Sequence, residues 1–265
     1  MQYKKLRNTI RTFFTEFRIY RNGITAVFFH LFYSNFKRKK KKEIRKIIIN
    51  SNINYYEKTC AILIDSLIKF GVEKKDIILM IGGHTQIEKS YYHGVETYFL
   101  DNNSIDYTAL IGILETGLVD KIDHFFYIHD TTVINSKRFS SVFYKYPLRP
   151  NFTYSIGTFI SMNIGFYSKG SLLMCKDIIL SAKNTDYSYQ GVYNSKALGV
   201  EMEDAIFKKN CEFHKTIFGG YSMPAIKQTI YVGQNRIEES FKYLGILKYK
   251  VNKNISDNFI ISLTE

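Results

Sequence analysis

The chain has 265 residues, 45% of them hydrophobic, and 37 Lys and Arg against 24 Asp and Glu, for a net charge of +13. That much apolar material supports one substantial core, while no run of about 18 apolar residues occurs, which argues against a membrane-spanning helix. Three cysteines, Cys60, Cys175 and Cys211, are far apart and odd in number, so a reduced compartment fits better than a disulfide-built secreted scaffold.

The charge is concentrated at one end. Residues 1 to 46 hold 14 Lys and Arg against Glu16 and Glu43, which leaves 23 basic and 22 acidic side chains for residues 47 to 265. A nucleic-acid enzyme spreads cations around its groove because phosphate contacts dominate affinity; here the body is nearly neutral, and no specific nucleic acid is expected as a partner. Ile10, Phe13, Phe14 and Phe17 share one face at helical spacing, with Arg7, Arg11, Arg18 and Arg21 elsewhere on the turn, and six consecutive cations run from Lys37 to Lys42. A basic amphipathic helix followed by a polybasic cluster suits an anionic membrane surface. A helix packed on its own domain beside a solvated charge run fits the same text, and an RNA-binding arm is a third reading. No small-residue cleavage site follows the apolar patch from Gly23 to Phe32, so no cleaved signal peptide is expected. A cytoplasmic protein, peripheral on a membrane, is the expected setting. The chain thus divides into a basic amphipathic N-terminal extension, 1–45, and a domain, 46–265.

From Ile47 onward the text alternates. Ile47-Ile48-Ile49 is a short β-branched strand, with Asn50, Ser51 and Asn52 as loop or cap. Tyr55 to Phe70 sets Ala61, Ile64, Leu67 and Ile68 at helical spacing and stops at Gly71. Asp76 to Ile81 is a buried strand running into Gly82-Gly83, a turn that lacks the flanking glycines or lysine of a phosphate-binding loop. Beyond a polar link, Val95 to Leu100 is another strand, and Asn103-Ser104 opens a helix over Ile105 to Leu114. Then Phe125-Phe126-Tyr127-Ile128 ends abruptly on His129-Asp130, a buried strand with one carboxylate at its carboxyl end. Alternating strands and helices predict an α/β sheet with crossover connections, and in such sheets ligands sit outside the carboxyl ends of the strands.

After Asp130 the expectations are a partial helix over Asn135 to Tyr146, a break at Pro147 and Pro150, an extended element from Phe159 to Tyr167, and a helix from Ser171 to Leu180. A loop is expected from Asn184 to Tyr193, then a helix through Glu201 to Phe207. The text beyond Gly219 is mixed.

These parts in this order resemble a nucleotide-sugar-dependent glycosyltransferase of the GT-A fold over residues 46 to 215: a strand and helix opening the sheet, a strand ending in an acid, a Met162-Asn163-Ile164-Gly165 strand, and a later Glu203-Asp204 pair opening a helix. The resemblance implies a mixed central sheet, related to the Rossmann arrangement and flanked by helices. It implies that Ile128-His129-Asp130 stands where the family has Asp-x-Asp, retaining the last acid only. Asp130 would then hold Mn²⁺ or Mg²⁺ against the diphosphate of a nucleotide sugar, UDP-linked by expectation, with His214 completing the metal site. Asp204, with Glu203 as second choice, would deprotonate the acceptor hydroxyl. Asp106 would contact base or ribose, His129 and Asn163 would border the donor, and Arg149 with Lys145 would touch the departing diphosphate. The acceptor would be a glycan or a lipid-linked molecule. Blander readings stand beside these: Asp130 as a cap for the turn after its strand, and Glu203-Asp204 as first-turn acids favoured by a helix dipole. A non-catalytic relative or basic interaction protein is the alternative function, and a nucleotidyltransferase a third.

Overall fold

The computed structural model describes residues 43–146, 148–155, 164–183, 214–216, 227–232, 235–241 and 244–249. The expectations for the extension 1–42, for Asn163, for the loop 184–193 and for the helix bearing Glu203 and Asp204 lie outside these residues.

In chain order the elements are β1 (Arg45–Asn52), α1 (Tyr56–Lys69), β2 (Ile77–Gly82), β3 (Glu88–Tyr92), β4 (Val95–Leu100), α2 (Thr108–Glu115), β5 (His124–His129), β6 (Thr132–Ile134), α3 (Lys137–Lys145), β7 (Thr153–Ser155), β8 (Gly165–Ser168), α4 (Lys169–Met174), α5 (Lys176–Ser181), β9 (His214–Thr216), β10 (Lys227–Val232), β11 (Asn235–Phe241) and β12 (Ile246–Tyr249). The main sheet runs β3-β4-β2-β1-β5-β8-β7-β9. Its centre, β4, β2, β1 and β5, is parallel, while β3 and β8 join it antiparallel. The protein is therefore a mixed α/β structure with a mostly parallel central sheet flanked by helices, compatible with a Rossmann-like fold.

β1 explains why the centre forms. It pairs in parallel along both edges, α1 and α2 cover its two faces, and Ile47, Ile48 and Ile49 are all fully buried. Such a position calls for a continuous apolar run, here β-branched. Alternation along the strand then sorts side chains between two layers. Ile47 and Ile49 pack with Cys60, Leu63, Ile64 and Leu67 of α1 on one face; Ile48 packs with Ala109, Leu110 and Ile113 of α2 on the other. Helix α1 ends as its sequence demands. Gly71 lies at φ +95°, Val72 N–H donates to Leu67 O at 2.9 Å, and Gly71 N–H donates to Ile68 O at 3.0 Å, a pair of bonds that satisfies the last carbonyls of the helix through a left-handed glycine.

The segment expected to be one helix from Ser171 is two, α4 and α5, separated at Cys175, which is buried. α4 begins at a capping box in which Ser171 N–H donates to Ser168 Oγ at 3.1 Å. Elements the sequence did not reveal include the edge strand β3 and a smaller sheet of order β10-β11-β12-β6. That second sheet meets the α1 face of the core through Leu244, Ile246 and Ile134. Gly245, at φ +65°, permits the approach: a Cβ there would lie 2.4 Å from Ser136 Cβ.

Candidate functional site

The chain places β2 and then β4 to one side of β1, and only then crosses to the other side to lay down β5. Strand order therefore reverses between β1 and β5, whose carboxyl ends stay paired, and such a reversal is the position at which open α/β sheets hold ligands. Asn50, Ser51, His129 and Asp130 stand there. Alternation separates them into two groups.

On the α1 face, Ser51 Oγ donates to Asp130 Oδ2 at 2.5 Å and Thr59 Oγ1 approaches the same oxygen at 3.2 Å. Asp130 N–H donates to Asn50 O at 3.1 Å. The Asp130 side chain is buried, at 8% exposure. Burial pushes its pKa up, against hydrogen bonds from Ser51, Thr59 and the Thr131 N–H and the charge of Lys248, which pull it down. The thiol of Cys60, next to Thr59, is pushed up by burial and by the Asp130 carboxylate. Asp130 thus ties the ends of β1, α1 and β5 together, instead of simply capping the turn after its strand.

On the α2 face the partners belong to the loop after β4. Asn50 Nδ2 donates to Ile105 O at 2.9 Å and Asn50 Oδ1 accepts from Ala109 N–H at 2.9 Å. Tyr127, whose phenol burial keeps protonated, donates from Oη to Asp106 O at 2.5 Å. His129 stands edge-on to the Tyr127 ring, with Nε2 3.8 Å from Asp106 Oδ1. The loop is held in an unfavourable shape: Ile105, a β-branched residue, sits at φ +53°, where strain persists only if the surroundings impose it and where functional sites concentrate. Within the same loop both amide atoms of Asn102 and the hydroxyl of Ser104 are buried with no hydrogen-bond partner among the described residues, although buried polar groups are almost always paired. Gly82 lets the loop come close, since a Cβ there would meet Thr108 Cγ2 at 2.5 Å and Asn102 O at 2.7 Å. The Gly82-Gly83 pair therefore serves packing and a turn, with Gly83 at φ +93°.

The structure brings Asp106, His129 and Asp130 to one region and sets Arg149 apart from them. Arg149 O lies 3.1 Å from His124 Nε2, and His124 is the first residue of β5. Asp130 is six residues further along, about 20 Å at strand rise. Lys145 ends α3 beside Phe143, whose carbonyl accepts from Arg45 Nη1 at the start of β1, 2.8 Å away. Both cations belong to the opposite edge of the sheet. His214 opens β9, three strands from β5 in the sheet order, or about 14 Å at strand spacing. Glu203, Asp204 and Asn163 lie outside the described residues.

A divalent cation finds little here. Asp130 is one carboxylate already engaged by hydroxyls, and among the described residues no group of three or more His, Cys, Asp or Glu is arranged to hold a metal. The donors that hard cations require, several oxygens at short range, are not assembled by these residues, so the cation expectation does not fit them. Sequence reasoning missed Asn50, Ser51, Thr59 and Tyr127. Their signal was a polar pair directly after an isoleucine run, a threonine on the buried stripe of a helix and a phenol within an apolar strand.

No protein-family model matches the sequence, and no curated protein matches it. Among the described residues no helix is long and apolar enough to cross a membrane.

Proposed function

We propose that the chain is a nucleotide-sugar-dependent glycosyltransferase of GT-A type, with the donor nucleotide lying along the loop after β4 and against the carboxyl ends of β1 and β5. The observation that carries this reading is the loop itself: a strained Ile105 held by Asn50, with the half-exposed carboxylate of Asp106 beside it and His129 facing it. Such a loop presents a carboxylate acceptor at a fixed position beside an imidazole, as recognition of ribose hydroxyls or a base edge needs. Asp106 and His129 border the nucleotide, and Asp204, with Glu203 beside it, takes the proton of a glycan or lipid-linked acceptor.

One observation favours a second reading, a nucleotide-binding relative that does not transfer sugar. The retained acid of the motif, Asp130, is buried and committed to Ser51 and Thr59. Calorimetric titration with UDP, CDP, GDP and ADP, with and without Mn²⁺, followed by a hydrolysis panel of nucleotide sugars, separates the two. Binding of one diphosphate, weakened in Asp106→Ala, together with slow hydrolysis of its sugar conjugate, is the expected result. Binding without turnover of any sugar nucleotide selects the second reading, and no binding of any diphosphate overturns both.

A further inference from the structure

The edge of the sheet opposite this site has its own character. Six cations, Lys37 to Lys42, lead directly into Glu43, and Glu43 is fixed at the amino end of the sheet. Arg45 Nη2 and Nε lie 2.8 and 3.1 Å from its two oxygens, and His124 Nδ1 lies 2.5 Å from Oε1. The first described residue, which directly follows the polybasic run in sequence, therefore stands at the amino edge, at the foot of β1 and β5. The acids of that edge are engaged: Asp76 by Lys46 and the Tyr144 hydroxyl, Glu73 by Lys75, Asp120 by Lys169, and Asp123 by Ile44 N–H. Lys74, Lys121, Lys145 and Arg149 are exposed on the same edge with no carboxylate partner among the described residues. Between them Ile44 is 47% exposed and Tyr144 37%.

We propose that this amino edge docks on an anionic phospholipid surface, leaving the carboxyl edge directed away from the lipid. Distance separates these cations from the nucleotide reading. The two edges are about 20 Å apart, more than two Debye lengths at physiological ionic strength, roughly 8 Å each, so the edge charges do not act on a diphosphate at the far end. A polyanion fits them, and charge complementarity extends from the described lysines into the adjoining Lys37–Lys42 run. A nucleic-acid backbone would match the cations alone. An acyl boundary also accommodates the exposed Ile44 and the ring of Tyr144.

The test uses the full chain and vesicles of phosphatidylcholine, with and without phosphatidylglycerol. Binding is expected only to the anionic vesicles. The triple variant Lys74→Gln, Lys121→Gln, Lys145→Gln should lower partitioning about a hundredfold, at about fivefold per cation, with an unchanged unfolding midpoint as the control for folding. Hydrogen exchange on vesicles reads the orientation without any variant: peptides covering 43–46, 73–76 and 121–124 slow, while those covering 50–53 and 101–107 do not. Indifference to lipid charge, protection of the carboxyl edge, full binding by a folded triple variant, or capture of oligonucleotide in preference to anionic vesicles would each overturn the proposal.

Discussion

Asn50→Ala tests whether the loop after β4 is held from β1. The side chain makes two bonds of 2.9 Å, one to Ile105 O and one to Ala109 N–H. Two hydrogen bonds at about 1 kcal/mol each set the lower figure, and stranding the buried Ala109 N–H adds about 1–2 kcal/mol, so a loss of about 2–4 kcal/mol is expected. Ile105 at φ +53° works against this: release of its strain returns up to about 1–2 kcal/mol if the loop relaxes, and that relaxation is itself diagnostic. Two measurements separate the terms. Urea unfolding gives the net loss, and native-state hydrogen exchange reports whether 101–109 opens below the global limit. If the reasoning holds, net destabilisation is about 1–3 kcal/mol, exchange in 101–109 accelerates well beyond that in β2, and affinity for any diphosphate that binds the wild type drops. A stability change within experimental error, with unaltered exchange in that segment, refutes the claim that Asn50 holds the loop.

Other contacts lead to three further expected outcomes. Ser51→Ala removes the 2.5 Å donor to the buried Asp130 carboxylate and should cost about 1.5–3 kcal/mol at neutral pH. Because burial already raises the Asp130 pKa, the cost applies to the charged form and should shrink as the medium is acidified toward the ordinary carboxylate range; a pH-independent loss would contradict that assignment. Glu43 is a carboxylate for which burial alone would raise the pKa, but His124 and Arg45 bring it down from 4.5 to about 2. Its contribution is therefore complete above pH 4.5 and disappears as pH falls through about 2. Discounted for a side chain 32% exposed, the contribution is about 1–2 kcal/mol, and chemical denaturation of Glu43→Gln should show that deficit at pH 7 and none near pH 2. Gly245→Ala forces a Cβ to within 2.4 Å of Ser136 Cβ at φ +65°, and a loss of about 2 kcal/mol or more in thermal unfolding is expected; a loss within error would mean the β6–β12 junction yields easily.

How much the sequence reveals depends on how much burial each element has. The centre of the sheet is legible because β1, β2 and β5 are covered on both faces, which leaves unbroken apolar runs, and because Gly71 marks the end of α1. The edge strand β3 is not legible: Glu88, Lys89 and Tyr91 face solvent, so Glu88–Tyr92 resembles a polar link. β6 has three residues and its partner β12 lies more than a hundred positions later, beyond any local periodicity. The site divides in the same way. A carboxylate at a strand end is visible in the text, but its partners Ser51 and Thr59 come from 79 and 71 residues away, and a tripeptide motif carries no information about them. Lys145 and Arg149 lie shortly after Asp130 in sequence, yet α3 returns the chain to the start of β5 and carries them to the other edge.

Strand parity decides what the two residues ending β5 do. Phe126 and Ile128 face α1, so Asp130 must also face α1, where Ser51, Thr59 and Cys60 are buried beside it. Phe125 and Tyr127 face α2, so His129 is directed toward the loop bearing Asn102, Ser104 and Asp106. A shift of one residue would exchange these positions, placing the carboxylate beside Asp106, where two like charges would repel, and the imidazole in the hydroxyl pocket. The parallel register of β5 on β1, with Asn50 opposite His129, prevents that exchange, because a slip would also drive Phe126 and Ile128 out of the α1 core. The apolar packing of β5 thus sets the division of labour at its end: the acid joins three elements together, and the neighbouring histidine faces the loop that bears Asp106.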